Sequence, residues 1–260
     1  MGKRLEFILV DNRNESGSNL TELNATDALN NGFMSHNDWV GHGARYGYIA
    51  KWINKNKPKS VIDVGCGRFD MLNWFWRNRE ASAFSYVGMD LRANKNWFEK
   101  LGWKKGPVKL MRIDVTRHKE LVTAPADLVV CTEVFEHVPR NKQAALLMKL
   151  FDMTKPGGCC IMSTPNAGVS KSTAANHIGP EGSRERTYKE KFDMATNAGF
   201  IIEQAYGVFI AKSRIPQEFW EDEKHQWIFD FLPNGMATVF AAAPYPSQSN
   251  NALFVMRRPK

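Results

Sequence analysis

"VIDVGCGRFD", residues 61–70, runs from an apolar, β-branched segment through a turn punctuated by two glycines into residues that open a helix. Strand, glycine loop and helix in that order mark the place where an open α/β sheet binds its ligand, beyond the carboxyl ends of its strands. Gly65 and Gly67 allow the chain to turn sharply and to approach a ligand with no Cβ in the way. The register Gly65, Cys66, Gly67, Arg68, Phe69, Asp70 lacks the third glycine of a dinucleotide fingerprint, which argues against a pyrophosphate ligand. A Walker loop is absent as well.

Working outward from this loop, apolar periodicity alternates between strand and helix. A helix is expected from about Arg45 to Asn54, ended by "KNKPKS". Strands are expected at 60–65, 85–90, 108–115, 126–133, 158–165 and 200–209, with helical segments at 71–79, 94–102, 140–154 and 187–199 and a short helix after residue 115. These strands are apolar along nearly their whole length, as in a parallel sheet buried on both faces. The pattern predicts a doubly wound α/β fold. Toward the end, 216–232 reads as helical, and "MATVFAAA" (236–243) with "ALFVMRR" (252–258) reads as a turn-linked pair that adds an antiparallel strand at the sheet edge.

The 260 residues suit one α/β domain with additions, read as an N-terminal extension or cap over 1–44 and a main domain over 45–260. At 43% hydrophobic and 12% aromatic, the chain can bury a sizeable core. Its longest uncharged apolar runs are about ten residues, too short to span a bilayer. The opening "MGKRLEFILVDNRNES" has too brief an apolar run for a secretion signal, so a soluble cytoplasmic protein with no membrane partner is expected. Cys66, Cys131, Cys159 and Cys160 form no CxxC pair and read as buried, reduced thiols. The net charge of +8 admits nucleic acid as a partner, although the basic residues are scattered apart from pairs such as Lys104–Lys105 and Arg257–Arg258.

Three carboxylates recur at successive strands: Asp63, Asp90 at the end of "YVGMD", and Asp114 in "RIDVT". One such residue is an ordinary turn or cap, but three in series point to a ligand along the sheet edge. Taken with "VIDVGCG", "DLVVCTEVFEHV" and "KPGGCCIMSTPN", in this order and spacing, the chain over roughly 45–210 resembles the class I S-adenosylmethionine-dependent methyltransferases. The resemblance implies a mostly parallel, seven-stranded, Rossmann-like sheet with an antiparallel edge strand. It implies S-adenosylmethionine as cofactor, with Asp63, Gly65 and Gly67 around its methionine portion and Asp90 on the ribose. Asp114 and Val115 would face the adenine, and Cys131, Thr132 and Glu133 would line the opposite wall. Phe69 stands where the family often has a further glycine.

"CTEVFEHVPR" (131–140) brings Glu133, Glu136 and His137 to positions i, i+3 and i+4, one face if the turn is helical. The "ExxEH" string resembles metal-assisted family members, the O-methyltransferases of ubiquinone biosynthesis and the small-RNA 2′-O-methyltransferases. That resemblance implies Mg²⁺ or Mn²⁺ held by Glu133, Glu136, His137 and a later histidine, for which His177 is the candidate. The alternative is that the two glutamates complement a helix start while His137 packs or serves as a plain base. Glu136 and His137 are the catalytic candidates. "STPN" and the absence of a Pro-Cys pair argue against the amino-group and cytosine-C5 DNA enzymes. Acceptor contacts are expected from insertions near 166–188 and 210–235 and from the N-terminal segment, with His36, His42, Arg45, His177, Arg184, Arg186 and Tyr188 as candidates. The expected activity is methyl transfer to an oxygen, or secondarily a nitrogen, of a small or nucleotide-like acceptor. RNA or DNA modification and a non-catalytic, cofactor-binding regulatory role are the alternatives.

Overall fold

A computed structural model describes residues 5–10, 36–79, 81–118, 120–169, 178–179 and 182–260. In chain order the elements are β1 (Leu5–Leu9), α1 (His36–Asn56), β2 (Ser60–Val64), α2 (Asp70–Arg77), β3 (Ser85–Asp90), β4 (Val108–Arg112) and β5 (Ala126–Thr132). They continue with α3 (Arg140–Met153), β6 (Thr154–Pro165), the two-residue strands β7 (Ile178–Gly179) and β8 (Gly182–Ser183), α4 (Tyr188–Asn197) and β9 (Ile201–Val208). Last come α5 (Gln217–Glu221), α6 (Glu223–Phe231), α7 (Asn234–Ala242) and β10 (Asn251–Arg257).

β2 alternates its side chains between two cores, Val61 to one face and Ile62 and Val64 to the other, which is why it reads as a continuous apolar run. The sheet order is β1-β4-β3-β2-β5-β6-β10-β9. Every pairing from β1 to β6 is parallel, while β10 runs antiparallel to both β6 and β9. The chain winds outward from β2 through β3 and β4, then returns to β5 and β6, so the order reverses between β2 and β5. That reversal is the topological switch point at which such sheets bind ligands. One face is covered by α1 and α2, through Ile49, Ile53, Leu72 and Phe75, and the other by α3 and α4, through Leu146, Leu147, Leu150 and Ala195. A smaller cluster under α5 and α7 joins Ile210, Ile215, Phe219, Ala241 and Ala242.

The sheet has eight strands among the described residues, one more than expected. β1 supplies an edge that the pattern did not announce, pairing Leu5–Leu9 in parallel with Val108–Arg112. α1 starts at His36 rather than Arg45, so residue 44 lies within it. "MATVFAAA" is not a strand: 234–242 is helical, starting behind Pro233, with Ala237, Val239, Ala241 and Ala242 buried. Alanine has the best helix propensity, and two buried alanines four apart make a close-packing face. β10 therefore has no hairpin partner before it and sits between β6 and β9, second from the edge. The 216–232 segment breaks at Asp222, whose backbone is extended, into α5 and α6. After β4 a turn replaces the expected short helix among the described residues. Residues 94–102 shrink to a 3₁₀ helix, Lys95–Lys100, whose start is capped by the Asn94 side chain accepting from Asn96 N–H. No helix among the described residues is long and apolar enough to cross a membrane.

Candidate active site

The glycine loop lies at the carboxyl end of β2. Gly65 adopts φ +74° and Gly67 φ +51°, the left-handed region that glycine enters without penalty. A Cβ on Gly65 would collide with the Val134 side chain, and one on Gly67 would stand 2.6 Å from Asp70 Oδ2. The loop is tied to β3: Gly65 N–H and Cys66 N–H donate to Met89 O at 2.7 and 3.2 Å, and Gly67 N–H donates to Asp90 Oδ2 at 3.2 Å. Asp90 Oδ1 accepts from Arg92 N–H at 2.8 Å. Phe69 takes φ 64° and stays wholly buried, its ring stacked on Phe98 at 5.5 Å.

Asp63, 3% exposed, accepts a 2.6 Å bond from Tyr86 O–H. Burial pushes its carboxyl up to about 7, against the Tyr86 bond and with help from Asp70 and Asp90. Burial and then Asp90 raise Asp70 to about 6, and burial raises Asp90 against the two backbone N–H groups it accepts. Three carboxyls thus lie close enough to influence one another beside the loop, where positive charge is favoured. Asp114 faces differently: it accepts from Thr116 N–H at 3.0 Å, from Thr116 Oγ1 at 2.7 Å and from Arg117 Nε at 2.8 Å. Its carboxylate closes its own turn, and Val115 beside it packs on the core. Cys131 is fully buried among Phe135, Leu146 and Leu150, so Cys131 reaches the site edge by its backbone alone. Thr132 ends β5 half-buried.

Glu133 follows β5 with φ +55°, its N–H donating to Ser163 O at 2.9 Å. Its carboxylate accepts from Ser163 Oγ and from Asn251 Nδ2, both at 2.8 Å, and lies 3.8 Å from Arg45 Nη1. Burial alone would raise it, but Arg45, His42 and the Ser163 bond hold it below its ordinary value. The following turn is a 3₁₀ helix, Phe135–His137. Glu136 is 1% exposed and accepts from Thr164 Oγ1 at 3.0 Å. Burial, then the charge on Glu133, pushes it well above the carboxylate range. His137 is exposed on the same turn.

The three described members of the expected metal set, Glu133, Glu136 and His137, do not converge. Among the described residues no three His, Cys, Asp or Glu side chains converge to hold an ion, and His177 lies outside those residues. Glu133 is spent on Ser163, Asn251 and Arg45, Glu136 is buried on Thr164, and the exposed His137 belongs to neither contact. This donor set does not fit a divalent ion.

Two residues beyond the original site set complete the geometry. Tyr46 on α1 stands in the field of Asp70 and Asp63; burial first, then those carboxyls, raises its phenol. Lys191 on α4 is wholly buried and donates to Pro165 O and Asn166 Oδ1, both at 2.6 Å, and to Thr164 O at 3.3 Å. Burial lowers its ammonium to about 7 against the pull of Glu136 and Glu133. The signal was available: Tyr188, Lys191 and Ala195 share helical spacing, and a lysine there interrupts an apolar stripe. Arg45, among the acceptor candidates, is 3% exposed, with no hydrogen-bond partner for Nε or Nη1. Arg184 and Arg186 are engaged locally, donating to His137 O at 3.1 Å and to Gln143 Oε1 at 2.8 Å. Tyr188 stacks on Phe254 at 5.2 Å. The side chain of His36 lies outside the described residues.

The family described as "Methyltransferase domain" matches residues 43–227. A probable S-adenosylmethionine-dependent methyltransferase of Mycolicibacterium smegmatis is 32% identical over 103 residues, 38% of this chain and 39% of that protein. The ubiquinone biosynthesis O-methyltransferase of Psychrobacter cryohalolentis is 28% identical over 138 residues, 50% of this chain and 51% of that protein. The chain thus spans about half the length, or less, of these curated relatives. In fold, the methyltransferase domain of bacterial CtHen1 aligns with a TM-score of 0.50 at 18% identity, covering 84% of this chain and 99% of that one. The N-methyltransferase NodS of Bradyrhizobium japonicum aligns with a TM-score of 0.50 at 8% identity, covering 85% and 97%. With the match spanning most of the chain and the glycine loop at the switch point of this sheet, the chain belongs to the methyltransferase-domain family, the class I S-adenosylmethionine-dependent methyltransferases.

Proposed function

We propose that the protein moves a methyl group from S-adenosylmethionine to an oxygen of a small or nucleotide-like acceptor, with nitrogen as the secondary choice. The observation that carries the reading is the loop itself: two left-handed glycines, Gly65 bonded to Met89 O and Gly67 to Asp90, at the switch point and beside the carboxyls of Asp63, Asp70 and Asp90. When bound there, S-adenosylmethionine supplies a methyl group already activated by its sulfonium. Gly65 and Gly67 would let the backbone reach the methionine portion, and Asp90 would accept from the ribose hydroxyls. Arg45, buried with Nε and Nη1 lacking hydrogen bonds and only a 3.8 Å ion pair from Nη1 to Glu133, suits an anionic end of the bound ligand. Asp63, Asp70 and Asp90 would favour its positive charge. Asp114 would need to leave its local turn to meet the adenine.

The acceptor's proton goes to His137 in this reading. Glu136 is buried on Thr164, and Glu133 is engaged by two hydrogen-bond donors, Ser163 and Asn251, with Arg45 3.8 Å away, so both carboxyls are committed to internal contacts while His137 is exposed. Imidazole is the side chain whose protonation changes near neutral pH. The role of the chain is otherwise to align acceptor and methyl and to keep water out. An oxygen acceptor has the support of the ubiquinone-biosynthesis relatives, which carry that chemistry in their names. The net charge of +8 supports a second reading, a nucleic-acid acceptor.

Labelled S-adenosylmethionine offered with a panel of phenols, primary amines and bulk RNA tests both. Transfer to a phenol, reduced about 100-fold or more by His137→Ala, is the expected result. Transfer to RNA that falls steeply with salt would replace the first reading with the second. Cofactor binding without transfer to any class would favour a regulatory role.

A further inference from the structure

Gln143, on the first turns of α3, is wholly buried and uses both ends of its amide. Its Nε2 donates to Phe135 O at 3.2 Å and Val138 O at 3.1 Å, on the two sides of the Glu136–His137 turn, and to Arg184 O at 2.7 Å. Its Oε1 accepts from Arg186 Nε at 2.8 Å. Around it, Arg184 Nη1 donates to His137 O at 3.1 Å and Arg140 Nη2 to Glu185 O at 3.2 Å. The 184–186 arm is also fastened to the end of β6, where Ala167 N–H donates to Arg186 O at 2.9 Å. That arm closes the insertion in which acceptor contacts are expected.

We propose that Gln143 is a positioning residue that makes the 135–138 turn and the 184–186 arm a single body, so that an acceptor gripped by the arm arrives in register with His137. Only a side chain with a donor end and an acceptor end fits these four partners, and a buried amide this fully used holds its neighbours to one geometry. Removing it leaves three backbone carbonyls without this donor, on both elements at once. The proposal rests on the acceptor-side role given above to the turn.

Hydrogen exchange of the whole chain, with and without S-adenosylhomocysteine, tests it. The reporters are the bonded amides of His137 and Val138 in the turn and of Ala167 and Thr187 flanking the arm. In Gln143→Met all four should exchange at least about tenfold faster together, while amides of β2 and β3 stay within twofold and S-adenosylhomocysteine affinity is unchanged. Arg186→Lys, which removes the acceptor-end bond together with the Arg186 contacts to Glu190 and Arg140 O but leaves the three Nε2 bonds, should give a smaller rise at the His137, Val138 and Ala167 amides and serves if Gln143→Met does not fold. A rise at one element alone, or a uniform rise across the sheet, would overturn the proposal by reducing Gln143 to a structural residue. On the phenol assay, Gln143→Met should lower kcat and raise KM together. If instead His137→Ala leaves transfer intact, the acceptor reading fails, whereas the exchange result still decides the mechanical coupling.

Discussion

Asp63 carries the sharpest consequence at the scale of a single residue. Its carboxyl sits near 7 in the folded protein because it is buried beside Asp70 and Asp90, against an ordinary value of 3.8. The folded state therefore binds a proton that the unfolded state has already lost between those values. Stability is greatest below pH 4 for this group alone, and its contribution falls as pH rises through 7. Asp63→Asn should flatten that dependence, making the cofactor-free protein more stable at pH 8 by up to a few kcal/mol, with a gain less than about half as large at pH 5. Urea unfolding at the two pH values measures it; equal slopes for wild type and variant would contradict the assignment. The sequence pointed to Asp63, Gly65, Gly67 and Asp90 because glycines and carboxylates at strand ends leave a pattern in one dimension. Phe69 was harder to read. It occupies a left-handed backbone position, φ 64°, where glycine would be unstrained, and holds it because its ring is wholly buried on Phe98. The cost of that backbone, about 1–2 kcal/mol, is smaller than the roughly 3–5 kcal/mol lost on truncating a buried phenylalanine. Glu136 shows the opposite case: only the fold reveals that its carboxyl is buried on Thr164 and pushed above its ordinary range.

Among elements, those with strong periodicity were legible within a residue or two, as α3 and β5 illustrate. The failures have local causes. α7 was mistaken for a strand because Val239 and Phe240 outweighed the alanines, although the apolar face of this helix is made by small residues that let it pack closely. β1 was overlooked because it is an edge strand with only Phe7 and Ile8 turned into the cores, each contributing to a different one. An edge strand shows half the signal of a central one. If β1 belongs to the folded unit, Phe7→Ala should lower its stability by about 1–2 kcal/mol, the amount expected for a half-buried aromatic. An unchanged urea midpoint would show that the first strand is dispensable.

On the scale of the whole molecule, topology decides where chemistry can occur. The order reversal between β2 and β5 opens a crevice at one sheet edge, and the glycine loop, Asp90 and the Glu133–His137 turn all lie along it. α1 contributes Arg45 and Tyr46 from about 20 residues upstream, a long-range placement that no local pattern encodes. The described part of the expected metal set is apart for a similar reason: "ExxEH" is one face only on a regular helix, and this turn is a single 3₁₀ turn that buries Glu136 and exposes His137. The central claim is that this crevice binds S-adenosylmethionine through the loop and Asp90. Titration calorimetry of S-adenosylmethionine into the wild-type chain and Asp90→Ala tests it most directly. The account predicts one bound cofactor per chain, with affinity at least about tenfold weaker in the variant, whose cooperative urea transition shows that it still folds. No heat of binding to the wild type, or equal affinity in the variant, would contradict it.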